Sequence, residues 1–360
     1  MALLFLSVCA DVVGMEFIMK KVGIITLYYK NYNYGGQLGA FALQKAISKL
    51  GFHCEQIAFK WLNEHTLQTY ESAKSAEQFR VFSESIPHSD RLYTVSDIAE
   101  CVDDYDIFVC GSDQIWGLPW VISDEILPCM ALSFVTASKP KIAYAASMGG
   151  AEIGEERMNI LAPHVNSLDF VSVREKSAVP FVETMSNGEV THVLDPVMLL
   201  DKSEWDDIAA TPPEKAYILT YDLRDIPAIR EYAEALSKKY GYEIISLATA
   251  GAATVGPKEF VGYIKHAKYF ITSAFHGAVF SILFKVPFLV FPVSDNPKDP
   301  KSMDSRLIAL LDTFGLSNCY VFNKNDIPNI EDITFHHIDE VKTSAFRHDS
   351  IQFLKGALET

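Results

Sequence analysis

One histidine stands where a strand gives way to a helix. In Tyr269-Phe270-Ile271-Thr272-Ser273-Ala274-Phe275-His276-Gly277-Ala278, an apolar run ends at His276 and a small residue opens the next apolar run. A turn of this kind presents free backbone N–H groups and the positive end of a helix dipole, which together favour an anion. A side chain that exchanges protons near neutral pH then stands beside that anion. His276 is therefore read as the residue that contacts a phosphate or moves a proton, with Ser273, Phe275 and Gly277 around it. The alternative is a histidine that caps the helix and packs under the loop.

Three other turns invite the same argument. Asn33-Tyr34-Gly35-Gly36 precedes a long helical pattern, and its glycines let a ligand approach the backbone. Gly111-Ser112-Asp113-Gln114-Ile115-Trp116 follows an apolar run and puts Ser112, Asp113 and Gln114 at its carboxyl end; a helix cap by Ser112 or Asp113 is the other reading. Arg174 ends Val171-Ser172-Val173, where a guanidinium can clamp a carboxylate or phosphate in two-pronged fashion, although pairing with Glu175 or Asp195 accounts for it without a ligand. Arg306 and Lys285 have similar standing. Asp104-Tyr105-Asp106 has the form of a metal-binding D-x-D but stands before a strand, and His336-His337 would diverge on a helix, so no metal is expected.

The elements that must position these residues alternate between strand and helix. Val22–Leu27 is a short apolar run without alternation, as in a parallel strand covered on both faces. Leu43, Ala46, Ile47 and Leu50 repeat at helical spacing before Gly51, and His53–Phe59 is strand-like again. After a polar stretch at 60–105, read as an insertion or helical flap, strands are expected at 106–110, 141–146, 170–173 and 190–194. The chain turns polar near Asp201–Lys215 and contains Pro212-Pro213, the expected link between domains. A second series follows, with strands at 216–220, 242–247, 269–272 and 288–291 and helix faces marked by Ile229, Tyr232, Ala233, Leu236 and by Leu307, Leu310, Leu311, Phe314. The expected organisation is an extension at 1–20, a Rossmann-like domain at 21–205, a second at 214–330 and a final helix within 336–360. Two doubly wound α/β domains face a cleft, and ligands in such sheets bind at the carboxyl ends of strands.

Composition narrows the classes. With 46 acidic and 31 basic residues the 360-residue chain carries a net charge of −15, so general nucleic-acid binding is not expected. Six cysteines, Cys9, Cys54, Cys101, Cys110, Cys129 and Cys319, form no CxxC pair and read as buried free thiols of a reducing cytoplasm. No apolar run reaches the roughly 18 residues that span a bilayer. Leu3–Ala10 is apolar but has no preceding lysine or arginine, and Met15 and Met19 stand just ahead of Lys20-Lys21, so residues 1–18 read as an upstream extension.

Taken together, six segments resemble the polysaccharide pyruvyl transferase family: Asn33–Gly36 with Ala40–Gln44, Gly111–Trp116, Tyr144–Gly149, Ser172–Glu175, Asp195–Val197 and Ser273–Gly277. They run in order over most of the chain. The resemblance implies a fold similar to GT-B glycosyltransferases. It also implies transfer of a pyruvyl group from phosphoenolpyruvate to a sugar of a surface or secreted polysaccharide, giving a cyclic ketal. The acceptor would often be lipid-linked or nucleotide-linked. On this reading His276 and Asp113 are catalytic, and Asn33, Tyr34, Gly35, Gly36, Ser112, Gln114, Arg174, Ser273, Phe275, Gly277 and Arg306 bind substrate. No cofactor or metal is implied. The protein would be cytoplasmic, with peripheral attachment to the inner membrane face left open. Two departures stand out: Ala274 replaces an arginine that some members use to hold the donor, and Gly39 replaces a common glutamine. Arg174 or Arg306 would then supply the missing cation. A nucleotide-sugar glycosyltransferase and a non-catalytic carbohydrate-binding protein are the alternatives.

Overall fold

Ile107–Cys110 has four residues and no polar alternation, and all four are buried because the layers on either side cover both faces of the strand. In the computed structural model, which describes residues 20–136, 138–247, 255–323, 325–335, 338 and 340–360, it is the third of six strands in the first sheet. These are β1 (Lys21–Ile25), β2 (His53–Gln56), β3 (Ile107–Cys110), β4 (Lys141–Ala146), β5 (Phe170–Val173) and β6 (Val190–His192), all parallel in the order β2-β1-β3-β4-β5-β6. A second parallel sheet contains β7 (Tyr217–Tyr221), β8 (Glu243–Ser246), β9 (Tyr269–Thr272) and β10 (Phe288–Val290) in the order β10-β9-β7-β8. The strand order reverses between β1 and β3 in the first sheet and between β7 and β9 in the second. Such reversals open a crevice beyond the strand ends, where doubly wound folds hold ligands.

The helix α1 (Tyr34–Lys49) is buried over nearly its whole circumference, unlike a one-faced surface helix. It packs on β2 on one side and on the Pro257–His266 and Phe275–Phe284 helices of the second half on the other. The polar stretch after β2 folds as α2 (Glu64–Glu71) and α3 (Ala76–Glu84); α2 buries no residue, whereas α3 inserts Phe79 and Phe82 into the core. Ladder pairing of β2 ends at Gln56, short of the expected Phe59. Beyond it the 89–93 segment takes over, with Ala58 N–H on Ser89 Oγ at 2.9 Å and Tyr93 N–H on the Ala58 carbonyl at 2.7 Å.

Three contacts tie the halves together. Trp205, from the polar link, is fully buried and packs edge-on against Phe280 at 4.9 Å and beside Phe41 at 5.8 Å. The last helix, Glu340–Leu358, returns to the first half: Ser350 Oγ accepts from Leu194 N–H at 3.0 Å and Arg347 Nε donates to the Met198 carbonyl at 2.7 Å. A strap formed by residues 300–305 crosses in the other direction. The Pro300 carbonyl accepts from Ala151 N–H at 2.8 Å and Glu152 N–H at 3.1 Å, while Ser305 Oγ accepts from Ala151 N–H at 3.0 Å. Cys54, Cys101, Cys110, Cys129 and Cys319 are free and buried, and Cys9 lies outside the described residues. None of the described helices is long and apolar enough to cross a membrane.

Candidate functional site

Two helix N-termini, one from each half, meet at the crevice. Asn33 caps α1, its Oδ1 accepting from Gly35 N–H at 2.9 Å and Gly36 N–H at 3.3 Å. The Phe275–Phe284 helix starts after Ala274 without a side-chain cap, and Ala274 N–H donates to Thr272 Oγ1 at 3.0 Å. His276, in the first turn, lies directly over Gly35: a Cβ on Gly35 would stand 2.0 Å from His276 Nδ1. Glycine is thus required here by close approach. Gly36 is similarly confined, its absent Cβ falling 2.4 Å from Asn31 Nδ2.

The other ring nitrogen of His276 faces a carboxylate. Nε2 lies 3.5 Å from Asp195 Oδ2, which also accepts from Arg174 Nη1 at 3.0 Å; Asp195 Oδ1 accepts from Val197 N–H at 3.0 Å. Burial opposes ionisation of Asp195, but His276, Arg174 and the Val197 N–H outweigh it and hold the carboxyl well below the usual range. Arg174 Nε donates to Glu175 Oε1 at 2.9 Å, which also accepts from Ser147 Oγ at 2.9 Å. Its Nη2 makes no hydrogen bond and lies 3.6 Å from Asp113 Oδ1. Burial acts against the Arg174 charge, yet Glu175, Asp195 and Asp113 raise its pKa further.

These contacts seat Arg174 behind the cavity wall, its side chain 2% exposed, as the shared counter-ion of three carboxylates. Both partners named in the ion-pair reading, Glu175 and Asp195, are bonded to Arg174. The cation that lines the cavity is Arg306, from the Asp304–Thr313 helix, whose Nε donates to the Met303 carbonyl at 3.2 Å. Burial and the neighbouring Arg174 lower its pKa, against the pull of Asp113, Glu175 and Asp304. Both guanidinium groups lie against the Phe275 ring, Arg174 at 4.0 Å and Arg306 at 5.5 Å.

Two small spaces adjoin His276. One of about 10 Å³ lies between Thr26, Gly39, Ser112 and Asp113; the other, about 50 Å³, is lined by Asn33, Asp113, Gln114, Ala274 and Arg306. The smaller has room for about one water molecule and the larger for a few. A Cβ at Gly39 would meet nothing within 4 Å. Asp113 holds a left-handed backbone with φ of 71°, a conformation that concentrates at functional sites and that aspartate tolerates better than most residues. Ser112 is tied to the Ala145 carbonyl at 2.9 Å.

Other expected site residues have structural partners. Ser273 Oγ accepts from Leu223 N–H at 2.9 Å and donates to Asp222, so it fixes the loop after β7. Gly277 packs on Thr272 and Phe270, and Tyr34 stacks on Phe260 at 4.3 Å while its hydroxyl donates to the Val255 carbonyl. Lys285 is a surface residue paired with Glu340, and Asp104 accepts from Tyr93. His336 and His337 lie outside the described residues. The carboxylate in contact with His276 is Asp195, while Asp113, expected in that part, lines the cavity beside it. The signal for Asp195 was its position just after a strand in Asp195-Pro196-Val197, but nothing local connects it with His276, 81 residues away.

The family model "Polysaccharide pyruvyl transferase" matches residues 33–295, a span that contains His276, Asp195, Arg174 and Asp113 but not Arg306. No curated protein matches the chain. Among solved structures, a protein described as a UDP-N-acetylglucosamine 2-epimerase from Listeria monocytogenes is 10% identical with a TM-score of 0.52, covering 94% of this chain and 91% of its own. The UDP-N-acetylglucosamine 2-epimerase from Rickettsia bellii is 11% identical with a TM-score of 0.50, covering 95% and 97%. At such identities the likeness shows the fold alone, two Rossmann-like halves in the GT-B manner.

Proposed function

This chain belongs to the polysaccharide pyruvyl transferase family, and on that premise we propose that it transfers the pyruvyl group of phosphoenolpyruvate to two hydroxyls of one sugar, closing a cyclic ketal. The observation that carries the reading is His276, set at a helix N-terminus between Asp195 and the cavity, with Arg306 lining the same cavity. The reaction needs one proton carrier and a cation for a substrate with a carboxylate and a phosphate, and these are the groups present.

The proton balance suits a single histidine. One sugar hydroxyl adds to C2 of the donor, the C2–O bond to phosphate breaks, and the second hydroxyl adds to the same carbon. Of the two hydroxyl protons, one ends on the former methylene carbon as a methyl hydrogen and the other leaves with phosphate. His276 accepts a proton from a hydroxyl and returns one to carbon, while Asp195 steadies the imidazolium formed in between. Arg306 and the two helix N-termini neutralise the anionic donor, standing in for the cation absent at Ala274. Asp113 and Gln114, which line the same space, accept from and orient the sugar hydroxyls on this reading. The acceptor belongs to a surface polysaccharide or to its lipid-linked or nucleotide-linked precursor.

The test is incubation with phosphoenolpyruvate and a panel of sugar precursors in heavy water, followed by proton NMR. The expected result is loss of the vinyl signals, release of phosphate and a new methyl signal on the glycan. Phosphate release without a glycan-bound methyl, or consumption of a nucleotide sugar in its place, overturns the reading.

A further inference from the structure

Asp304 is a fully buried carboxylate that the chemistry above leaves unused. Taking a charge out of water is costly unless hydrogen bonds replace the water, and here neutral donors do so. Oδ1 accepts from Val293 N–H at 3.1 Å, and Oδ2 accepts from Ser294 N–H at 2.9 Å and from Ser302 Oγ at 3.2 Å. The Ser302 hydroxyl in turn accepts from Asp304 N–H at 3.1 Å. Asp304 is also the first residue of the Asp304–Thr313 helix, the end at which a carboxylate is favoured.

These bonds close a loop. Val293 and Ser294 follow β10 and Ser302 belongs to the strap, so one carboxylate joins both ends of the segment 293–302. Two parts of the site hang on that segment. Its Pro300 packs against the first half so closely that a Cβ at Gly150 would stand 3.0 Å from the Pro300 carbonyl oxygen. Its end leads into Arg306, two residues beyond Asp304, which lines the space beside His276. The Arg306 side chain bonds to the carbonyl of Met303, a residue of the same turn, so the backbone of the loop sets where the guanidinium stands.

Position and charge act here in opposite senses. Burial and Arg174 lower the Arg306 pKa, and Asp304 opposes them together with Asp113 and Glu175. As a bare negative charge near the cavity, Asp304 would repel an anionic donor. As a clamp on the loop it would secure the cation that holds the donor. Asp304→Asn separates the two, because an amide of the same shape removes the repulsion but turns one acceptor oxygen into a donor that faces other donors.

We propose that Asp304 is a positioning residue for donor binding: by clamping the 293–302 segment it sets Arg306 in the cavity, so that neutralising this acid weakens the binding of an anion instead of strengthening it. The proposal rests on the pyruvyl-transfer reading for the identity of that anion.

The test is a double-mutant cycle of Asp304→Asn and Arg306→Gln, titrated calorimetrically with phosphoenolpyruvate and with inorganic pyrophosphate and followed by donor kinetics. Asp304→Asn should weaken phosphoenolpyruvate about tenfold, and no more than Arg306→Gln does, raising the donor KM with kcat within about twofold. In the Arg306→Gln protein the same change should cost less than about twofold, since a residue that acts through another adds nothing once the other is gone. Ser302→Ala removes one bond of the clamp and should show a loss of about two- to threefold with the same coupling; it carries the test if Asp304→Asn does not fold. Unchanged or tighter anion binding by the folded variant, a raised donor KM absent while kcat falls, or a loss as large without Arg306 as with it, overturns the proposal. Pyrophosphate binding that follows the expected pattern without affinity for phosphoenolpyruvate leaves Asp304 its role and removes the donor assigned to the site. A wild type that binds neither anion overturns both.

Discussion

Gly35→Ala tests the site with a single methyl group. Gly35 is the second residue of α1, where alanine is ordinarily favoured over glycine by about 1 kcal/mol, so an unconstrained position would become more stable. The structure reverses that sign. The added carbon would stand 2.0 Å from His276 Nδ1 and 2.5 Å from Cε1, whereas ordinary contact begins near ~3.5 Å. Ring and methyl must therefore part by about 1.5 Å. Moving the ring toward Asp195 supplies only about 0.7 Å, because Nε2 already lies 3.5 Å from the carboxylate and a charge-assisted hydrogen bond closes no further than about 2.8 Å. The remainder must come from rotating the imidazole off Asp195 or from prising the two helix N-termini apart. Overpacking of this kind costs about 1 to 3 kcal/mol, and a displacement near 1 Å in a catalytic group costs about 100-fold in rate. The assays are urea unfolding and phosphate release from phosphoenolpyruvate with a competent acceptor. A stabilised protein with near-normal turnover would refute the contact and the poise of His276 inferred from it.

Four further outcomes are expected. His276→Asn should fold normally yet lose about 100- to 10,000-fold in turnover, the usual range for removing a proton carrier, as read by NMR of the ketal methyl. Asp195→Asn should slow turnover and lower stability at pH 7; because the Asp195 pKa is depressed on folding, its contribution is full above about pH 4 and fades as pH falls, so the variant's urea stability should decline less than the wild type's between pH 5 and 2. Arg174→Lys should act on stability, by about 3 to 5 kcal/mol if its bonds to both Asp195 and Glu175 are lost, with donor affinity unchanged in whatever fraction stays folded, measured by calorimetry with phosphoenolpyruvate. Arg306→Gln should instead raise the donor KM at least tenfold while leaving urea stability within about 1 kcal/mol, since among the described residues one hydrogen bond, to Met303, is lost.

The strand-helix alternation was legible because parallel strands covered on both faces are written as continuous apolar runs. Ile107–Cys110 and Phe288–Val290 carry no other message. His276 was legible for the same reason, since the strand-to-helix turn that presents it is local. The insertion was harder: α2 buries nothing, so no periodic stripe marks it. The partnership of His276 with Asp195 and the approach of Gly35 join residues from different halves, and no spacing along the chain encodes how two sheets face each other. The same holds for Arg306, which reaches the space lined by Ala274 from a helix 30 residues further on. For Arg174 the residue type and its place at a strand end suggested a ligand clamp, whereas its burial among Glu175, Asp195 and Asp113 depends on elements far apart in the chain.

The strap at Pro300 has a consequence for how substrates come and go. Its bonds to Ala151 and Glu152 are accepted by the Pro300 carbonyl and by Ser305 Oγ, and Arg306 stands in the first turn of the helix that follows. Swinging the halves apart far enough to admit a sugar must break those bonds and carry Arg306 away from His276 in the same movement. Because Ser305 Oγ shares the Ala151 N–H with the Pro300 carbonyl, Ser305→Ala removes one of these three bonds and leaves the two main-chain ones, so the fastening can be loosened by a single side chain.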